Sequence, residues 1–181
     1  KIFRIITPLI KFRACRDVRK VAGDAMEIRG GLGYIEDWLD PKILRDSHLG
    51  SIWEGTSNII SLDTIRALKK DNNFQIFKNF LIDSVKINSE KKQEKHLLSV
   101  IDDVFYFVEN EVKEDFTSSS RQITTSLYYL SSAIFLIQEG NYCEDLAYRS
   151  KISELIIKYK IDKNSPITRD DIDYDLINNL I

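Results

Sequence analysis

The chain has 181 residues, 26 Lys and Arg against 28 Asp and Glu, and a formal net charge of −2. At 43% hydrophobic and 10% aromatic residues it has the apolar material for a core, which excludes a solvated, disordered chain. No apolar run approaches the roughly 20 residues of a membrane helix, so no span is expected.

Seven Gly and three Pro suit long helices better than a turn-rich sheet protein, and the expected fold class is all-α. Cys15 and Cys143 are too few for a disulfide framework, which points to a reducing compartment. With His48 and His96 they also lack the spacing of a zinc site, so no metal is expected. Residues 1–16 carry Lys1, Lys11 and three Arg without an acid, superficially like a transit peptide. Pro8 and the lack of an initiator Met argue against that reading, and the sequence reads as starting inside a longer protein.

Thr7-Pro8 predicts a helix start, because proline at the first helical position loses no needed donor and threonine can cap the next turn. Leu9, Phe12, Val18, Ala22, Ala25 and Met26 then recur on one helical face, with an end expected near Arg29. Gly30, Gly31 and Gly33 predict a turn with room for close approach by a backbone or a ligand. Asp40-Pro41 opens a short helix over about 42–48 that Gly50 closes. A further helix carries Ile59, Leu62, Ile65, Arg66 and Leu68, with Thr56 or Ser57 as its cap and Gly55 just outside. Glu54 therefore stands at the mouth of a helix N-terminus.

Composition changes across Lys69–Asn73, which reads as a linker. Residues 1–70 hold 13 basic and 9 acidic side chains, a net +4; residues 71–181 hold 13 and 19, a net −6. The two expected domains are thus 1–70 and an acidic helical extension, 71–181. In the second, Leu97, Ile101, Val104, Val108 and Val112 form one stripe. Ile123, Leu127, Leu130, Ile134 and Ile137 form another, and Leu146, Ile152, Leu155, Ile156 and Tyr159 suggest a third. Such stripes need partners, which implies a helical bundle with Phe105, Phe107, Tyr128, Tyr129 and Phe135 in its core. Asp162–Pro166 reads as a loop and Thr168–Ile181 as a last short helix.

Taken separately, the glycine segment is a turn before it is a ligand site, and a carboxylate near a helix start is a cap or dipole partner before it is a base. Order and spacing alter this. Gly30-Gly31-Leu32-Gly33-Tyr34, Glu36, Arg45-Asp46 and Ile52-Trp53-Glu54-Gly55-Thr56 together resemble the C-terminal helical domain of acyl-CoA dehydrogenases, over about residues 7–68. The segment SIWEGTSNIISLDTIRAL is most similar to the AidB-like, alkylation-response branch, whose members carry a helical extension after it.

The resemblance implies a flavoprotein that desaturates an acyl-CoA. Glu54 would take the α-proton of the thioester while a hydride leaves the β-carbon for N5 of FAD. An acceptor such as an electron-transfer flavoprotein would then reoxidise the flavin. Gly30, Gly31 and Gly33 would approach the FAD diphosphate, commonly that of a neighbouring subunit in a homo-oligomer (tetramer or dimer). Trp53, Gly55 and Thr56 would border flavin and substrate. Two positions depart from the common pattern: Glu27 stands where many members have Gln, and Ile60 where a polar Gln is usual. Arg45-Asp46 reads as a local ion pair or cap. A fragment of this kind is expected to be inactive alone, in the bacterial cytoplasm or the mitochondrial matrix and not secreted. Two alternatives stay open. One is a non-catalytic helical scaffold. The other is a nucleic-acid-associated flavoprotein, disfavoured because the extension is acidic where DNA binding needs clustered cations.

Overall fold

The computed structural model describes residues 1–89, 91–113 and 117–162. They form helices α1 (Ile2–Ile28), α2 (Gly31–Tyr34), α3 (Asp40–Leu49), α4 (Ser57–Lys69), α5 (Asn73–Asn88), α6 (Lys91–Lys113), α7 (Ser120–Tyr142) and α8 (Leu146–Ile156). A 3-10 turn at Thr117–Ser119 precedes α7, and a π-helical turn, Ile157–Ile161, follows α8. The fold is all-α, with no strand among the described residues. None of the described helices is long and apolar enough to cross a membrane. The expected helix at 168–181, and the Asp162–Pro166 loop beyond Asp162, lie outside the described residues.

Two compact units can be distinguished: Lys1–Phe74 with Glu111–Thr125, and Gln75–Asn110 with the chain from Ser126 onward. In the first, α1 packs against α3 and α4 and touches α2. Its buried stripe begins with Ile5, Leu9 and Phe12. The start expected at Thr7-Pro8 is corrected: α1 begins at Ile2 and runs through Pro8. Proline there removes one backbone donor, but Pro8 is buried with Ile5 and Leu9 on either side. Each such buried aliphatic side chain stabilises by roughly 1.5–3 kcal/mol, enough to carry the helix across the break. Thr7 caps nothing; its hydroxyl donates back to the Phe3 carbonyl at 2.7 Å.

Helix α4 differs from its sequence pattern. Its buried face is Ser61, Thr64, Ala67 and Leu68, and Ile59 is exposed. The polar members of that face are satisfied. Ser61 Oγ lies 3.0 Å from Ser120 Oγ, and the Thr64 hydroxyl donates to the Ile60 carbonyl at 3.3 Å. Arg4 clasps Asp63 through two hydrogen bonds of 2.7 and 2.6 Å, tying α1 to α4.

The second unit buries Phe77, Leu81 and Val85 of α5, Leu97, Ile101, Val104 and Val108 of α6, and Leu127, Leu130, Ile134 and Ile137 of α7. The α6 and α7 residues belong to the expected stripes, and the α5 face is an addition to them. Phe77 meets Phe105 at 6.3 Å and Phe80 meets Phe135 at 6.1 Å between ring centroids, separations typical of favourable aromatic pairs. The third stripe is thinner: Leu146, Ile152, Leu155 and Ile156 are half-buried and Tyr159 is exposed.

Candidate functional site

The segment between α3 and α4 contains Trp53, Glu54, Gly55 and Thr56. Glu54 has φ 57° and Gly55 φ 108°, so the chain turns twice through left-handed backbone before α4 begins. For glutamate such a conformation costs on the order of 1–2 kcal/mol. At Gly55 a side chain would also crowd Ile60 and Ile59, at 3.2 and 3.3 Å. Thr56 is the N-cap of α4, but its side chain makes no capping bond.

What holds this strained turn is α1. Lys11 donates from Nζ to the Gly50 carbonyl at 2.8 Å and to the Trp53 carbonyl at 3.1 Å. The Ser51 hydroxyl donates to the Cys15 carbonyl at 3.0 Å. Gly50 lets this end of α3 come close, since a Cβ there would stand 3.1 Å from Cys15 Sγ. Sequence reasoning missed Lys11 and Ser51. A lysine on an amphipathic helix is indistinguishable by pattern from any solvated one, and its role follows only from the carbonyls that it faces.

The turn presents its side chains outward: Ile52, Trp53 and Glu54 are all exposed. The Glu54 carboxylate makes no hydrogen bond or ion pair among the described residues. The capping role weighed from sequence is therefore not the one it fills in this conformation.

The glycine segment is a second, separate feature. Gly30 has φ 58°, and Gly31–Tyr34 wind into a single helical turn, α2. Gly33 is buried against the end of α1, where a Cβ would stand 2.2 Å from the Met26 carbonyl oxygen. Gly31 is open, with nothing within 4 Å of a built Cβ. Glu27, exposed one turn back, adds a negative charge to this end of α1. The structure does not bring the glycines to Glu54. They flank opposite ends of α3, whose ten residues span about 15 Å.

Arg45 bridges part of that interval. Its partner is Glu36, at 2.5 and 3.1 Å, not the neighbouring Asp46, which corrects the expected local pair. The Arg45 guanidinium holds the Glu36 carboxyl below its ordinary range through that hydrogen bond. Arg29 lies 3.4 Å from Asp40 and over the Trp38 ring at 5.0 Å, closing the other side of the loop. No group of three or more His, Cys, Asp or Glu among the described residues could hold a metal ion.

Residues 2–69 match the family described as acyl-CoA dehydrogenase, C-terminal domain, and this segment is homologous to that domain. Among curated relatives, acyl-CoA dehydrogenase family member 11 of Caenorhabditis elegans is 33% identical over 94 residues, which are 52% of this chain and 15% of that protein. The putative acyl-CoA dehydrogenase AidB of Escherichia coli is 42% identical over 67 residues, 37% of this chain and 12% of that protein. The chain thus spans only a small part of the relatives it matches. The crystal structure of the C. elegans protein ACDH-11 in complex with C11-CoA superposes with a TM-score of 0.69 at 24% identity, over 90% of this chain and 29% of that one. The Bd2924 apo-form superposes with a TM-score of 0.53 at 27% identity, over 87% of this chain and 25% of that one.

Proposed function

We propose that this chain is the C-terminal helical module of an AidB-like flavoprotein, serving as a scaffold that completes a site whose other walls come from elsewhere in the protein or from a second subunit. The carrying observation is the tethered turn at 50–56. A left-handed Glu54 is held by Lys11 while its carboxylate and the Trp53 ring face outward, without partners of their own among the described residues. The 42% identity to AidB over 67 residues favours that branch.

Within this reading the acyl-CoA dehydrogenase activity is the more specific proposal. FAD, when bound, supplies the acceptor for the hydride that leaves the β-carbon of an acyl-CoA. Glu54 accepts the α-proton on its carboxylate, and Trp53 excludes water beside it. Gly30 and Gly31 suit a diphosphate, since both are exposed and Gly31 leaves room for close approach. Thr56 and the first N–H groups of α4 offer donors to anionic oxygens. Glu27 opposes an anion at the glycine end and supports the scaffold reading.

Full-length protein separates the two. With the enzyme reading, Glu54→Gln abolishes α-proton exchange of an acyl-CoA while the bound flavin spectrum stays. Glu54→Gly gives the same loss with equal or higher thermal stability, because it removes carboxylate and backbone strain together. Flavin-free full-length protein that takes up no added FAD would leave the scaffold reading alone standing.

A further inference from the structure

The core stripe of α1 changes character along its length. Ile5, Leu9 and Phe12 are buried in steps of four and three residues, and the same steps lead on to Arg16 and Arg19. Both arginines are half-buried, and the Arg16 guanidinium lies over the Phe12 ring at 5.3 Å. Arg13 shares this stretch but is matched by Asp17, one turn on. Arg121, in the first turn of α7, donates from Nε to Asn58 Oδ1 at 2.6 Å. Among the described residues Arg16, Arg19 and Arg121 have no ion pair, and Arg19 Nε is buried without an acceptor. Burial lowers the affinity of Arg16 for its proton, and the charges of Arg121, Arg13 and Arg19 add to the effect, against a smaller opposing effect of Asp17.

The half-buried guanidinium groups of Arg16 and Arg19, with the charge of the exposed Arg121 added, are costly unless an anion matches them. Their planar forks suit phosphate oxygens in particular. We infer that Arg16, Arg19 and Arg121 form a binding site for a phosphate-type polyanion, a diphosphate group free or carried on a nucleotide. Three guanidinium groups without an ion pair among the described residues, two on α1 and one on α7, favour a compact, multiply charged anion over a single carboxylate. The net −2 of the chain disfavours a nucleic-acid polymer.

The test is calorimetric titration of inorganic diphosphate into the 181-residue chain at low ionic strength, with ADP as a second ligand. One anion per chain is expected, with affinity lowered about tenfold by Arg16→Met or Arg19→Met and less by the lysine variants, which keep charge but lose the fork. Equal affinity for the two ligands identifies the free group as sufficient, and tighter ADP binding identifies a nucleotide. Without anion, the methionine variants should keep the transition of the first unit at or above its wild-type temperature, since each removes a charge that has no ion pair among the described residues. No binding of either ligand overturns the site. So does a lower anion-free melting temperature in those variants, which would reveal a structural counter-charge. Tighter binding of a single-stranded oligonucleotide than of either small ligand would overturn it in favour of a polymer surface.

Discussion

At the scale of single residues, the three glycines divide into different tasks. Gly33 is fixed by the fold, because the Met26 carbonyl oxygen would stand 2.2 Å from any Cβ, and that carbonyl belongs to helix backbone. Gly31 meets nothing within 4 Å. Gly33→Ala should therefore destabilise the first unit by about 2–3 kcal/mol, and Gly31→Ala should change it by less than about 0.5 kcal/mol, read from denaturant midpoints. If Gly31 receives a diphosphate in the whole protein, its alanine variant keeps its midpoint and loses flavin. A Gly33→Ala chain as stable as the wild type would contradict the close approach of α2 to α1. Sequence pattern marked the triplet as a turn but could not sort these roles, since nothing local says which Cα faces a carbonyl and which faces open space. Gly55 was easier. A glycine just before a threonine and a helical stripe announces a cap, and Thr56 is the cap residue.

At the scale of elements, α1 does more than its amphipathic pattern suggests. The pattern identified Leu9, Phe12 and Ala22, all buried, but placed the start at Thr7 because proline is usually a beginning. Packing on both sides of Pro8 outweighs that local preference. Lys11 was illegible for a related reason: its partners, the Gly50 and Trp53 carbonyls, lie some forty residues away in sequence and become acceptors only once the turn has formed. Hydrogen bonds from a charged donor contribute about 1.5–3 kcal/mol when shielded, and Lys11 is half-buried. Lys11→Met should accordingly cost about 1–2 kcal/mol. It should also speed amide exchange at Ser51, Ile52 and Trp53, whose N–H groups bond within the same turn, more than along the rest of α1. Unchanged exchange at those three amides would remove Lys11 from its positioning role. The α4 stripe was misread for want of its neighbour: Ser61 is buried because Ser120, 59 residues away, completes its hydrogen bonding.

At the scale of the molecule, two compact units make separate thermal transitions the natural expectation, so a single melting temperature is a poor summary. The Arg4–Asp63 clasp lies wholly in the first unit and joins α1 to α4. The hydrogen bond from Arg4 holds the Asp63 carboxyl below its ordinary value of 3.8, against a smaller opposing effect of burial. A carboxylate whose folded-state pKa is depressed contributes stability above its unfolded value and loses it as pH falls through the folded one. The clasp therefore acts in full at neutral pH and fades below about pH 3.8. Both side chains are partly exposed, at 50% and 31%, so solvent screening limits the contribution to roughly 0.5–1 kcal/mol. Asp63→Asn should lower the transition of the first unit by a few degrees at pH 7 and leave that of the second unchanged. The gap should hold down to about pH 4 and narrow progressively as the pH falls further, as the wild-type carboxylate takes up its proton and comes to resemble the amide. Differential scanning calorimetry across that range reads both features. A gap that did not narrow at all as the pH fell below about 4, or that appeared in both transitions, would mean that Asp63 stabilises by packing and not through its charge.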